Sequence, residues 1–296
     1  MTSSERRRGE VAEFEEELLG VAERAARAAG AELVSRFGGP AVDLRTKSTP
    51  TDPVSAADIA AEGAIRQVLA QERPHDAILG EEGGATPGDG LGPGQRVGAG
   101  RLRWVVDPLD GTVNYLYRLP TFAVSVACED ADGGLVGVVL NPVSGECFSA
   151  TRSGPALRAG AAGAPFEEIA PRSGPEGLGQ ALVGTGFSYD SDVRAAQGRV
   201  AARLLPLVRD IRRAGAAALD LGWCAFGRLD AFYERGVHNW DIAAGSLICA
   251  RVGLVVRTLA EVPAVDGSVA LPSGVLVAPP ALIDELQELV AGPAPE

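Results

Sequence analysis

Apolar residues near the N-terminus recur every three or four places: Val11, Phe14, Leu18, Val21, Ala25, Ala29, Leu33 and Phe37 share one stripe, which stops at Gly38-Gly39-Pro40. That period predicts a long amphipathic helix over 11–37, preceded by a polar, frayed start over 1–9. A second helix is predicted from 55 to 73, with Ile59, Ile65, Val68 and Leu69 on its buried side and Pro74 as its stop. The pattern then changes. Residues 78–82 suggest a short strand ending in two acids, and 83–100, rich in Gly and Pro, suggest a loop. Apolar or alternating runs at 102–106, 122–128, 135–140 and 147–150 predict strands, the last three antiparallel and joined by turns at Asp132-Gly-Gly and Asn141-Pro-Val-Ser-Gly. Residues 151–180 lack periodicity and suggest a linker or sheet edge. Beyond them, strands at 181–185, 229–233, 254–256 and 274–278 alternate with helices at 193–208, 215–226, 241–252 and 280–290, an α/β pattern.

The stretch Trp104-Val-Val-Asp-Pro-Leu-Asp-Gly-Thr-Val-Asn-Tyr115 concentrates the chemistry. Asp107-Pro108-Leu109-Asp110 suits a type I turn, with Asp first and Pro second, and such a turn lets both carboxylates converge. The apolar run before it predicts a buried strand delivering Asp107, and Gly111 and Thr112 open a short segment stopped by Pro120. As a helix start, that segment would offer free N–H groups to an anion. Two like charges about 4 Å apart repel by roughly 4 kcal/mol at an effective dielectric of about 20. A divalent cation removes that conflict, and magnesium favours carboxylate, carbonyl and phosphate oxygens. The structural alternative is that Asp107 starts a turn and Asp110 caps a helix.

Composition narrows the function classes. With 296 residues and 46% hydrophobic content the chain can build a sizeable core. The sequence contains no apolar run of membrane-spanning length and no apolar stretch after its first charges, so a cytoplasmic protein is expected. Cys128, Cys147, Cys224 and Cys249 stand singly in apolar surroundings, which predicts buried free thiols and no zinc site or disulfide framework. A net charge of −12 argues against nucleic-acid or anionic-membrane binding, since both need clustered Lys and Arg.

Three further acids stand out. Glu81 and Glu82 end a strand and read structurally as a solvated pair. Asp241, in Asn239-Trp-Asp-Ile-Ala-Ala-Gly-Ser246, reads as a helix cap ahead of a helix built from small residues. Asp58 closes the capping-box pattern Ser55-Ala-Ala-Asp58. His75 and His238 lack partners at a triad or metal spacing.

The motifs Gly80-Glu81-Glu82, Asp107-Pro-Leu-Asp-Gly-Thr112 and Trp240-Asp-Ile-Ala-Ala-Gly245, in this order, make the chain similar to the inositol monophosphatase family over almost its whole length. Those are magnesium-dependent, lithium-sensitive phosphatases, and the family also includes fructose-1,6-bisphosphatase and nucleotide phosphatases. The resemblance implies a layered αβαβα sandwich, with an N-terminal α+β subdomain over 1–155 and a C-terminal α/β subdomain over 156–296 carrying Asp241 and substrate contacts. It implies Glu81, Asp107, the carbonyl of Leu109, Asp110 and Asp241 as ligands of two or three Mg2+ ions. Thr112 with Asp58 would orient or deprotonate the attacking water, near which Glu81 also lies. The Gly111 and Thr112 amides would hold the phosphate, and Glu234 and the backbone at Ala217 would contact the alcohol. Lys47 would sit on an accessory loop approaching a further metal. A homodimer and inhibition by Li+ are implied as well.

Hydrolysis of inositol monophosphate or a similar small alcohol phosphate is the activity that follows from the resemblance. Histidinol phosphate is a rival substrate, and a regulatory role in an RNA polymerase or ribosome-biogenesis complex is the rival of another class. Two features depart from the family pattern. Ala216 stands where many relatives place a small hydroxyl residue, which removes one contact to a polyol, and the 83–100 loop is longer and richer in glycine than usual.

Overall fold

Two mixed sheets dominate the architecture, and the computed structural model describes residues 3–38, 45–46, 53–54, 56–88, 101–264 and 269–292. Helix α1 (Ser3–Arg36) comes first, followed by a hairpin of β1 (Arg45–Thr46) and β2 (Pro53–Val54) and by helix α2 (Ala56–Glu72). The first sheet holds β3 (Ala77–Gly80), β4 (Gly84–Thr86), β5 (Arg103–Asp110), β6 (Ala123–Asp130), β7 (Gly133–Leu140), β8 (Cys147–Thr151), β9 (Ala156–Ala159) and β10 (Glu167–Glu168). Their spatial order is β10-β9-β8-β7-β6-β5-β3-β4, with only β3 and β5 parallel. Helix α3 (Thr112–Leu116) follows β5. The second sheet holds β11 (Leu182–Thr185), β12 (Asp210–Arg212), β13 (Ala231–Arg235), β14 (Val255–Leu259) and β15 (Gly274–Ala278) in the order β12-β11-β13-β15-β14. Helices α4 (Ser191–Leu204), α5 (Ala217–Phe226), α6 (Asn239–Arg251) and α7 (Ile283–Val290) accompany it.

Three apolar clusters define the layers. Trp104 and Val106 of β5 pack with Leu18, Ala25 and Leu33 of α1 and Ile65 of α2. Val105, pointing the other way, packs with Leu221 of α5 and Ala244 and Ile248 of α6, which also meet Phe232 and Val277 of the second sheet. On the far side of that sheet, Val183 and Leu276 meet Val200 and Leu204 of α4 and Leu286 and Val290 of α7. The order is therefore α, β, α, β, α. Both faces of β5, β6 and β7 are covered, which is why these strands read as nearly continuous apolar runs.

Several expectations need correction. The N-terminal helix begins at Ser3 and takes in most of the polar start assigned to fraying, because adding residues to a formed helix costs little once it is nucleated. Its stripe is buried only from Leu18 onward, while Val11 and Phe14 are exposed; periodicity marks the apolar face but not where the neighbouring layer starts. The 83–100 loop contains β4, which pairs antiparallel with β3, and its remainder over 89–100 lies outside the described residues. The 151–180 segment carries β9 and β10 at one edge of the first sheet, as the edge reading expected, but that sheet continues past residue 155, where the first subdomain was expected to end. Strands this short have too few residues to show a period of two. Strand β12, Asp210-Ile211-Arg212, escaped notice for the same reason. All four cysteines are free and buried, as expected.

Glu146, at the head of β8, ties the first sheet to α5. Its carboxylate accepts bonds from Arg158 Nε at 2.6 Å, Arg228 Nη1 at 2.6 Å and Trp223 Nε1 at 3.3 Å. Burial would raise this carboxyl, and the two guanidinium groups more than offset it, holding it below its ordinary range. Glu146→Ala is expected to cost about 2 kcal/mol in urea unfolding, less than a fully buried pair because both arginines keep some water.

Candidate active site

Strand β5 continues beyond Asp107 rather than giving way to a type I turn. Asp107 pairs with Ser125 and Asp110 with Ala123, with a register shift between the two pairs. Pro108 has no N–H for the ladder, so the strand bulges there. Inside the bulge, the Leu109 N–H donates to Asp107 Oδ1 at 2.9 Å. The expected result, two carboxylates on one cavity, holds, but a bulge produces it. Gly111 then turns the chain in the left-handed region at φ 91, and a Cβ there would lie 3.0 Å from the Gly215 carbonyl, so only glycine fits comfortably. Thr112 opens α3, and its hydroxyl lies 3.1 Å from Asp58 Oδ1 and 3.2 Å from the Leu109 carbonyl. Asp58 itself is fully buried on α2. Ser55, the other half of its expected capping box, lies outside the described residues.

The turn bearing Glu81 is built by a residue that the sequence reading passed over. Glu62 of α2 accepts the N–H groups of Glu82 and Gly83 at 2.7 and 2.8 Å, and Arg66 donates to it at 2.7 Å. A Cβ on Gly80 or Gly83 would come within 2.6 Å of the Glu62 carboxylate, so glycines flank the two acids to admit it. An acid on the apolar side of α2, beside Ala61 and Ile65, was the available signal.

Asp241 sits in the first turn of α6, behind the N-cap residue His238, whose N–H donates to Asp241 Oδ2 at 2.6 Å. It therefore serves the helix start and faces the cavity at once. Ser125 of β6 donates to the Trp240 carbonyl at 3.1 Å and docks this helix end on the first sheet.

These elements enclose a cavity of about 280 Å³ between the two sheets. Glu81, Asp107, Leu109, Asp110, Gly111 and Thr112 line one side, and Ala217, Glu234 and Asp241 line the other. Asp58 stands behind Thr112. Lys47 lies outside the described residues. The sequence reading missed Arg213, His238 and the wall formed by 187–190, which belong to loops and helix approaches without periodicity.

Crowded acids set the electrostatics. Burial, then the charges of Glu81, Asp110 and Asp241, push the Asp107 carboxyl well above its ordinary range. Burial and Asp241 do the same to Asp110, although the Ala218 N–H, donating at 2.7 Å from the first turn of α5, opposes them. Burial and Asp241 raise Glu234 to about 7, with Arg213 pulling the other way. Behind it, the buried Asp220 is also raised, first by burial and then by Glu234 and Asp110.

Among the described residues, no three His, Cys, Asp or Glu side chains already stand in an arrangement that holds a metal ion. The donor chemistry nevertheless fits a hard divalent cation: four carboxylates and a peptide segment share one cavity, and at least two of the acids are held against their own repulsion. Positive charge there would relieve what the protein alone cannot.

Comparison with known proteins agrees with this arrangement. The model of the inositol monophosphatase family matches residues 15–293. The inositol-1-monophosphatase of Mycobacterium leprae is 42% identical over 263 residues, covering 89% of this chain and 85% of that protein. The Nus factor SuhB of Pseudomonas aeruginosa is 38% identical over 239 residues, covering 80% of this chain and 83% of its own. Among solved structures, Mycobacterium tuberculosis SuhB superposes with a TM-score of 0.72 at 35% identity, covering 93% of this chain and 95% of that one.

Proposed function

The chain belongs to the inositol monophosphatase family, and on this footing we propose that it is a magnesium-dependent phosphomonoesterase acting on inositol monophosphate or a similar small alcohol phosphate. The observation that carries the reading is the shared cavity of Glu81, Asp107, Asp110 and Asp241, with Thr112 and Asp58 beside it. Those four acids and the Leu109 carbonyl would hold the cations. Bound there, divalent cations would supply Lewis acidity toward the phosphoryl oxygens and lower the pKa of a water.

The protein's own groups supply the remaining parts. Asp58 accepts the Thr112 hydroxyl proton across 3.1 Å, which leaves the Thr112 oxygen free to accept from the attacking water and aim it. The Gly111 and Thr112 amides border the cavity where a phosphate would rest. Glu234 and the backbone at Ala217 face the alcohol end, so a hydroxyl can donate to the Glu234 carboxylate. Displacement by water then needs no covalent enzyme intermediate. A homodimer, a cytoplasmic location and inhibition by Li+ complete the reading. No described helix is long and apolar enough to cross a membrane.

The test is phosphate release across inositol, sugar, polyol, histidinol and nucleotide monophosphates with magnesium. Release from the polyol phosphates supports the proposal, release from histidinol phosphate alone moves the substrate to that rival, and release from none overturns both. A second reading, a binding role in an RNA polymerase complex, is favoured by the relative named Nus factor SuhB. The complete acid set argues for catalysis alongside any such role.

A further inference from the structure

Phosphatases that share a metal-binding end must distinguish substrates by what surrounds the alcohol, and in this cavity basic side chains are few among the acids. Two arginines border it, Arg213 and Arg235. Arg235 is buried, with Nη1 donating to the Ala260 and Pro272 carbonyls at 2.8 Å and Nη2 to the Ala291 carbonyl at 2.6 Å, so its head is committed to the backbone. Arg213 is different. It is exposed, and among the described residues no carboxylate closes an ion pair with it.

The guanidinium is nevertheless placed. Gly215 adopts φ 86, and a Cβ added there would lie 2.5 Å from Arg213 Nη1 and 3.1 Å from Asn114 Nδ2. Asn114 is itself fixed, donating to the Thr121 carbonyl at 2.6 Å and the Ala214 carbonyl at 2.8 Å. The Gly215 carbonyl in turn lies against Gly111, at the phosphate end of the cavity. Glycine at 215 thus makes room for the Arg213 head beside the backbone that leads into α5 and lies against Gly111. From there its charge reaches Glu234 and Asp220.

We propose that Arg213 is a specificity-determining residue whose guanidinium, sharing the cavity with Glu234, selects phosphate esters of neutral hydroxylated alcohols against esters whose alcohol carries an ammonium group. This rests on the phosphatase reading above. A hydroxyl satisfies both side chains, donating to Glu234 and accepting from Arg213. An ammonium group has three donors and no acceptor, so it can serve Glu234 only and gains nothing from Arg213 but repulsion. Without Arg213 the alcohol end would be lined by acids, and the preference would tilt toward the amine.

The experiment compares 2-hydroxyethyl phosphate with 2-aminoethyl phosphate, which differ only in the group that is read. The wild type, Arg213→Gln and Arg213→Lys are assayed with magnesium for kcat and KM on both. The wild type is expected to favour the hydroxyl ester. In Arg213→Gln the ratio of kcat/KM values should fall by about tenfold, chiefly through KM, and Arg213→Lys should retain most of it. An unchanged ratio in Arg213→Gln overturns the proposal, as does a Lys variant that shifts as far as the Gln variant. Equal loss of both activities overturns it too, because the charge would then serve the phosphate. If the wild type hydrolyses neither ester nor any member of the wider panel, the phosphatase reading itself fails.

Discussion

Asp107→Asn is expected to lower phosphate release by at least about a hundredfold while leaving the fold intact, and in the absence of divalent cations to make it firmer. Asn keeps the shape of Asp107 and can still accept the Leu109 N–H, but it removes a charge from the middle of Glu81, Asp110 and Asp241. The folded protein raises this carboxyl above its unfolded value, so its contribution to stability is present at low pH and is lost as pH rises through the folded value. The chelator-treated wild type should therefore lose thermal stability as pH rises above the ordinary carboxylate range, and Asp107→Asn should lose less. Magnesium should raise the wild-type Tm at the higher pH and raise the variant's much less. The paired measurements are phosphate release and thermal unfolding with chelator or with magnesium. A variant that keeps full activity would refute the role of the acid cluster. One that loses activity yet shows the wild-type response to magnesium would move Asp107 out of the cation site.

Gly137→Val is expected to cost about 3 kcal/mol in urea unfolding, at the upper end for overpacking, and to reduce activity with it. Gly137 lies in β7, where a Cβ would stand 2.8 Å from the Ala244 Cα and 2.9 Å from its carbonyl oxygen. Those atoms are helix backbone and cannot step aside as a flexible side chain would. Helix α6 also packs its Gly245 against Leu221 of α5, where an added Cβ would be 2.5 Å away, so retreat from the sheet is blocked on the other side. Any outward shift of α6 carries Asp241 with it. Gly133→Val offers a control on the same strand, since a Cβ there meets nothing within 4 Å and its cost comes from the backbone at φ 113. Equal activity loss per unit of stability in the two variants would sink the proposed link between α6 packing and Asp241.

The sequence disclosed the layers where a period is long enough to measure. Stripes of apolar residues announced α1 and α2, although Ile59 of the second stripe is exposed, and the unbroken run from Trp104 to Val106 announced a buried strand, which is covered on both faces. The stretch after Asp241 was legible as a helix of small residues, and the structure shows what their size permits, a close approach such as Gly245 against Leu221. Asp107 and Asp110 were legible because Asp, Pro and Gly at fixed spacing restrict the backbone there, whereas Glu81 and Asp241 joined them only through the family resemblance. The way they are held was not. A bulge and a turn compete for the same Pro and Asp residues, and only the pairing partner, Ser125 opposite Asp107, decides between them. Glu62 stayed hidden because its role depends on amides twenty residues away. Arg213 stayed hidden because it follows a three-residue strand, where no local pattern shows which side of the molecule a side chain will reach.

The cavity draws its two walls from different sheets. Asp107 and Asp110 ride on β5, locked between two apolar layers, and Asp241 on α6, whereas much of the opposite wall comes from α5, the end of β13 and the loops around 187–190 and 213. On the proposed reading, chemistry and recognition draw largely on separate stretches of polypeptide, with Asp241 the acid contributed by the later one. On that reading, one leaving group could be traded for another by rewriting the outer loops while β5 and its acids stay in place.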